Sequence, residues 1–223
     1  MTRLLDVILS VLALVAFLPF GILIAVVLRL TGEGEILYSQ ERIGQDGKSF
    51  GLLKFATMLK DSPSMGSGDV TVKGDPRVLP FGKFLRKTKL NEVPQLLNIV
   101  AGHMSVVGPR PQTPRNFTFF PRESAEIITK MRPGLTGIGS IVFRDEESIV
   151  ASSSRPLEDC FREEIGPYKG SLEQWYYHHQ GVWTYLLLII VTAWVVMVPR
   201  SRIYRRIWKD LPPAPAGLFP DDR

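Results

Sequence analysis

The sequence predicts a membrane-associated α/β (α+β) domain, with a small mixed sheet and helices in its middle. An apolar helix stands at each end, and a basic amphipathic segment follows the second. Three observations carry this expectation. Two long uncharged runs, Val7–Leu28 and Val182–Val198, hold much of the apolar content. The stretch between them has the composition of an ordinary globular domain. That stretch mixes strand-like runs, turn signals and one segment of helical period.

At 223 residues the chain suits one domain with appendages, or one domain plus membrane segments. Its formal charge is +5 and its pI about 9.4. Basic residues cluster at Lys73–Lys89 and Arg200–Lys209, which points to anionic partners. Zinc-type Cys/His spacing and nucleic-acid module signatures are missing, so membrane lipid and phosphorylated ligands are expected, and no nucleic acid. Cys160 is the single cysteine; it excludes an intramolecular disulfide and fits a reducing compartment.

The first run spans 22 uncharged residues, flanked by Arg3, Asp6 and Arg29. At ~1.5 Å per residue that can cross a hydrocarbon core of ~30 Å. A secretory signal peptide fits poorly, because the run is long and "LRLTGEGE" after it offers no small-residue cleavage site. Pro19 removes a backbone hydrogen bond and Gly21 adds freedom, so the run reads either as a re-entrant hairpin or as a kinked spanning helix.

"ILYSQERIG" and "SFGLLKFATM" read as strands around the turn "QDGK", with Asp46-Gly47 as the hairpin signal. "SPSMGSGD" is a loop, and "DPRVLPFGKFLRKTKL" leads into "NEVPQLL". Val93, Leu96, Leu97 and Val100 fall on one helix face; Pro94 is tolerated only in a first turn, and Gly102 suits the position after the last. The helix is therefore expected from near Leu90 to near Ala101. Asn91 and Glu92 then sit at its N-terminus, where free N–H groups and the dipole favour anions. Capping without chemistry would account for the same two residues.

The surroundings weigh against capping alone. Lys73, Arg77, Lys83, Arg86, Lys87 and Lys89 precede the helix, with Asp75 to offset them. "VVGPRP" sets Arg110 between two prolines, and "RPGLTGIGSIVFRDEE" ends with Arg144 beside Asp145, Glu146 and Glu147. Arginines on stiff turns around a helix start suit a diphosphate; a basic face against lipid headgroups is the competing explanation. His103, His178 and His179 show no ligand-like grouping, which leaves surface or packing roles.

The second run, Val182–Val198, has 17 uncharged residues and ends at Pro199. It could span, lie in the interface or pack on the domain. "RSRIYRRIWK" mixes Arg200, Arg202, Arg205, Arg206 and Lys209 with Ile203, Tyr204, Ile207 and Trp208, as suits an anionic membrane surface. The positive excess places this end in the cytoplasm. "LPPAPAGLFPDDR" is expected to be loose.

"ERIG", "KFATM", "DPRVLPFGKFLRKTKLNEVPQLLNIVAGHMSVVGPRP" and "RPGLTGIGS", in this order, resemble the monotopic phosphoglycosyl transferases, the bacterial sugar transferase family. The likeness runs from the N-terminal apolar segment to about Tyr177. It implies an enzyme on the cytoplasmic face of the bacterial inner membrane, anchored by a re-entrant N-terminal helix. Such an enzyme moves a sugar-1-phosphate from a nucleoside diphosphate sugar to polyprenyl phosphate, with Mg²⁺, and so starts a surface glycan such as exopolysaccharide or lipopolysaccharide. In the family an adjacent Asp-Glu pair serves the chemistry, and the Asp forms a covalent phosphosugar intermediate. Here Asn91 stands in place of that Asp and Glu92 is retained. An amide is a poor nucleophile and a weaker Mg²⁺ ligand than a carboxylate.

Two further departures are Leu18-Pro19 where the family breaks its helix at Ser-Pro, and Ala56 where it has Arg. Arg86, Arg110 and Arg144 stand where the family has arginine, and these with Lys87 are the expected substrate-binding residues. Glu92 and Asn91 are the expected catalytic positions, and Glu92 the metal ligand. Glu92, a carboxylate among Asp145, Glu146 and Glu147, or direct transfer between substrates could replace the missing Asp. A homologue that binds nucleotide sugar or lipid carrier without turnover is the alternative function. The expected division is 1–30 re-entrant helix, 31–180 sugar-transferase domain, 181–199 apolar helix and 200–223 basic segment and tail. The oligomeric state is open, a homodimer being one option.

Overall fold

The chain opens with one long helix, α1 (Thr2–Thr31), assigned without a break through Pro19. In the computed structural model residues 2–65, 74–152, 155–198 and 201–219 are described. The loop residues 66–69, Lys73, Pro199 and Arg200 lie outside the described residues, as does the side chain of Glu147. One stripe of α1 faces the rest of the protein: Arg3, Asp6, Ser10, Leu14, Phe17, Ile24 and Leu28 recur at helical spacing and are buried or half-buried. Asp6 accepts hydrogen bonds from the Ser105 hydroxyl, the Val106 N–H and the Tyr185 hydroxyl at 2.8–2.9 Å. Arg3 donates to Ile99 O at 2.7 Å and to Val100 O at 3.1 Å. At the far end Ile24 and Leu28 pack with Phe55 and Leu85.

Both ends of α1 are thus tied to one body, while Leu12, Val15, Leu18, Phe20 and Leu23 on its other faces are at least 60% exposed. The helix does not turn back at Pro19, and with both ends fastened to one body the expectation to test is that they share one face of the membrane. Cys160 is buried, so single-cysteine variants give a clean test. Thr2→Cys and Glu35→Cys should react with a membrane-impermeant maleimide from the same face of vesicles. Labelling from opposite faces would mean a spanning helix.

Strands β1 (Leu37–Ile43) and β2 (Ser49–Phe55) form the expected antiparallel hairpin, with Leu37 opposite Phe55 and Ile43 opposite Ser49. At its turn Asp46 (φ 58°) and Gly47 (φ 72°) are both left-handed, which the Asp-Gly pair allows at little strain. Helix α2 (Pro80–Lys87) begins on its proline. A 3₁₀ turn, Leu90–Glu92, then precedes α3 (Gln95–Ala101), which Gly102 (φ 94°) closes. The expected helix is therefore split. Pro94 is the cap of α3, so Asn91 and Glu92 sit in the turn before the helix and owe their place to the turn rather than to a helix dipole.

The buried face of α3 also differs from the apolar pattern. Ile99 and Leu96 are buried, but Leu97 is 45% and Val100 38% exposed. Asn98 explains the rotation: its Nδ2 donates to Gly51 O at 2.8 Å and its Oδ1 accepts from Leu53 N–H at 2.9 Å. Pairing a buried amide with the edge of β2 outweighs hiding two aliphatic side chains, because an unpaired buried amide costs about 1–3 kcal/mol.

Strand β3 (Ser105–Val107) pairs in parallel with β4 (Gly134–Thr136). Short helices α4 (Pro114–Phe117) and α5 (Arg122–Thr129) lie between them. After β4 come α6 (Ile138–Val142), α7 (Glu146–Ser152), α8 (Leu157–Cys160), a π turn at Phe161–Ile165, α9 (Gly166–His178), α10 (Val182–Met197) and α11 (Tyr204–Ile207).

The largest core joins α6, α9 and α10 through Ile138, Leu172 and Leu188, each 0% exposed. Tyr185, Leu188, Val191 and Val195 give α10 one buried stripe, so this helix packs on the domain. Its outer face keeps Trp183, Ile190 and Met197 exposed. As far as Phe219 the tail is not loose, and residues 220–223 lie outside the described residues. Tyr204, Leu218 and Phe219 are buried in the same core, Trp175 Nε1 donates to Asp210 at 2.8 Å, and the Tyr168 hydroxyl donates to Pro212 O. Proline favours extended chain, which here lies against aromatic residues rather than in solvent. The histidines lie at the surface against aromatic rings: His103 stacks on Phe50, His178 meets Tyr177 edge-on, and His179 stacks on Trp175 and lies 3.0 Å from Asp210 Oδ2.

Candidate active site

Lys89 adopts a left-handed backbone (φ 60°) and turns the chain from α2 into the Leu90–Glu92 turn. Asn91 is 7% exposed, and its Oδ1 has no hydrogen-bond partner among the described residues. Glu92 points to Arg110, whose Nη2 and Nη1 donate to its two oxygens at 2.8 and 3.5 Å. Arg110 owes its position to the turn Gly108–Pro111. Gly108 N–H donates to Thr136 O and Gly134 N–H donates to Pro109 O, both at 2.8 Å. A Cβ at Gly108 would meet Arg132 O at 2.3 Å, so only glycine lets the turn lie this close to β4.

Asn91, Glu92 and Arg110 line one cavity of about 1530 Å³ together with Arg86, Lys87, Arg144 and Lys54. Arg86, in the last turn of α2, donates to Met58 Sδ. Arg144 enters from the end of α6, where its Nη2 donates to Val196 O at 3.3 Å. Of the expected binding residues, Arg110 alone is seen bonded to Glu92; Arg86, Lys87 and Arg144 share the cavity wall. Arg77 belongs to the structure rather than to the cavity. It forms a buried ion pair with Asp75 at 2.6 Å and donates to Ser62 O and Met65 O.

Several cavity residues escaped the sequence reading, Lys169 and Glu173 among them. Lys54 on β2 donates to Gln40 Oε1 at 3.3 Å, and Arg42 on β1 donates to the same oxygen and to Pro111 O. Both lie within the motifs "KFATM" and "ERIG". For Lys54 the signal was a long cation within a strand otherwise rich in apolar residues, whereas Arg42 sits among the polar Ser39, Gln40 and Glu41 and gave none. Cations there must face either solvent or a polar cavity, and only the pairing of β1 with β2 decides which.

The charges perturb one another. Burial lowers Lys54 to about 7, and Arg42 and Arg110 push the same way against Glu92. Burial alone would raise Glu92. The Arg110 charge, its hydrogen bond, Lys54 and Lys89 outweigh it and hold the carboxyl at about 2. The Glu92 charge raises Arg110 in turn. At neutral pH Glu92 is thus a carboxylate and Lys54 is partly neutral. Because the native state holds the Lys54 proton less tightly than the unfolded chain, the resulting penalty is present below pH 7 and fades as pH rises from about 7 toward 10.5. Lys54→Met should flatten the pH dependence of urea unfolding between pH 7 and 10, relative to the natural protein. An unchanged slope would place the titration elsewhere.

Other carboxylates reach the cavity. Glu146 Oε1 and Oε2 each lie 2.7 Å from Lys169 Nζ, and its charge is felt at Arg110. Asp145 starts α7 through its carbonyl, which accepts from Ser148 and Ile149 N–H. Among the described residues no three His, Cys, Asp or Glu side chains converge on one point. A cation taking one or two protein oxygens and completing its shell from phosphate and water fits what is present, namely the unpartnered Asn91 Oδ1 and the Glu92 carboxylate. A cationic wall, an ionised carboxylate and a neutral buried amide together are suited to hold a diphosphate.

The chain is 38% identical over 157 residues to the exopolysaccharide production protein ExoY of Sinorhizobium fredii (strain NBRC 101917 / NGR234), covering 64% of this chain and 69% of that protein. It is 36% identical over 143 residues to a UDP-glucose:undecaprenyl-phosphate glucose-1-phosphate transferase of Caulobacter vibrioides (62% and 52%). It is 32% identical over 139 residues to a UDP-N-acetylgalactosamine-undecaprenyl-phosphate N-acetylgalactosaminephosphotransferase of Aeromonas hydrophila (61% and 33%). The family model described as bacterial sugar transferase matches residues 1–199, which takes in α1, the hairpin, the Asn91-Glu92 turn and α10, and the chain belongs to that family.

Proposed function

We propose that this protein transfers a sugar-1-phosphate from a nucleoside diphosphate sugar, of the UDP-sugar class, to a polyprenyl phosphate such as undecaprenyl phosphate, starting a surface glycan. The observation that carries this is the one cavity in which Arg86, Lys87, Lys54 and the Glu92–Arg110 pair surround position 91. The apolar outer faces of α1 and α10 support attachment to the cytoplasmic face of the inner membrane, and Arg202, Arg205 and Arg206 beside them suit anionic headgroups.

The missing carboxylate shapes the mechanism. Asn91 cannot form an acyl phosphate, and Glu92 is held in place by Arg110. An oxygen of the lipid phosphate therefore attacks the sugar-bearing phosphorus directly. The new P–O bond forms as the bond to the nucleoside phosphate breaks, and the monophosphate leaves with that electron pair. Arg110, Arg86 and Lys54 neutralise the phosphoryl oxygens throughout. Mg²⁺, when bound through Asn91 Oδ1 and Glu92, would supply further charge to the diphosphate.

Direct transfer makes UMP release depend on the lipid acceptor. Incubating the protein with a panel of UDP-sugars, with and without polyprenyl phosphate, tests this. A burst of UMP without acceptor would show a protein carboxylate taking the sugar phosphate, and Glu146 would be the first to substitute. Tight UDP-sugar binding with no UMP under any condition would identify a binding homologue instead.

A further inference from the structure

The cavity has a second polar corner that phosphate chemistry does not use. Glu173 on α9 lines it and is 4% exposed. Burial pushes its carboxyl up to about 8, against the charge of Lys169 and a hydrogen bond from Gly139 N–H. One oxygen lies against Gly139, where a Cβ would come within 2.4 Å of Oε1. The other, Oε2, is buried without a hydrogen-bond partner among the described residues, and so is Ser140 Oγ on α6 beside Gly139. Both residues line the same cavity, next to the apolar Ile189 and Ala193. Neighbouring hydroxyls do not serve them: Thr192 donates to Leu188 O, so the Thr136 hydroxyl donates to Thr192.

Two orphaned, buried polar atoms are costly unless something pairs with them. The ligand that fits is neutral and rich in hydroxyl or amide groups. Phosphate is not suited, since Lys169, the cation whose charge acts on Glu173, is already bound to Glu146. The corner nevertheless adjoins the cationic wall. Lys169, one turn before Glu173, binds Glu146, whose charge reaches Arg110. We infer that Glu173 and Ser140 form the subsite that reads the hydroxyl or acylamino groups of the transferred sugar. This rests on the reading of the cavity as a nucleoside diphosphate sugar site.

The test compares UDP with UDP-glucose and UDP-N-acetylgalactosamine, binding to the full chain by titration calorimetry. Ser140→Ala should weaken the UDP-sugars roughly tenfold while leaving UDP within about twofold, as loss of a hydrogen bond to a substrate hydroxyl does. Glu173→Gln keeps the side chain neutral and of equal shape, and should change the ranking of the two sugars. Equal weakening of UDP and UDP-sugars by both variants, or no change in either, overturns the subsite. If the natural protein binds UDP but gains no affinity from any sugar, the subsite fails while the nucleotide site stands. If it binds neither UDP nor UDP-sugar, the functional reading fails and takes the subsite with it.

Discussion

Asn91→Asp is expected to give a covalent phosphosugar adduct on residue 91, formed from UDP-sugar without any lipid acceptor. Position 91 is buried, its Oδ1 is unpartnered, and it lines the cavity with Lys54, Arg86 and Arg110. Replacing NH₂ with O⁻ hardly changes shape, so the turn should survive. The surrounding cations favour the ionised form, against the opposing charge of Glu92. A carboxylate there can attack the sugar-bearing phosphorus, release UMP and hold the sugar phosphate as an acyl phosphate. Intact mass should show a gain of one sugar phosphate, with about one equivalent of UMP released in a burst. The natural protein should show neither. Failure of the variant to form an adduct, while still binding UDP-sugar, would place the reacting phosphorus away from position 91. Glu92→Gln provides the companion measurement: turnover should fall, because Arg110 loses the charge that orients it, and an unchanged rate would move the reaction centre away from this turn.

Arg110→Ala carries the next largest expected effect. The guanidinium both faces the cavity and holds Glu92 at 2.8 Å. Losing a charge-assisted contact of this kind costs about 2–3 kcal/mol, or ~30- to 150-fold in UDP-sugar affinity. Arg86→Ala should behave alike, and Arg144→Ala more weakly, since Arg144 already donates to Val196 O. Arg162→Ala, at a surface pair with Glu158, should change binding by less than about 0.5 kcal/mol. Equal small effects at all four would mean headgroup contact rather than substrate binding.

Stability responds to the same substitution. Glu92 is held at about 2 against an ordinary 4.5, so its contribution is present above pH 4.5 and is lost as pH falls from 4.5 toward 2. Arg110→Ala should lower stability at pH 7 and reduce the further loss across that acid window. Urea unfolding at pH 7, 4.5 and 3 separates the two behaviours.

Local chemistry made part of this protein legible. The Asp46-Gly47 hairpin and the end of α3 at Gly102 each follow from backbone preferences of a few adjacent residues. The apolar runs and the motif around Asn91-Glu92 were equally visible, because length, charge and residue order need no partner. Everything that depended on a partner was decided by tertiary structure. The helical pattern alone could not choose the buried face of α3, since Asn98 answers to β2. Arg77 read as one cation of a cluster that Asp75 offsets, and only the fold joined those two in a buried pair. The proline-rich tail could not be seen to lie on Tyr168 and Trp175. Lys54 and Arg42 became site residues only when β1 paired with β2 and turned them into one cavity. Sequence by itself determined which groups the chain owns and how each short stretch bends. Burial and charge pairing depend on residues far apart in the chain, and only the folded contacts settled which cation binds a carboxylate, which lines the cavity and which polar atoms are left for a ligand.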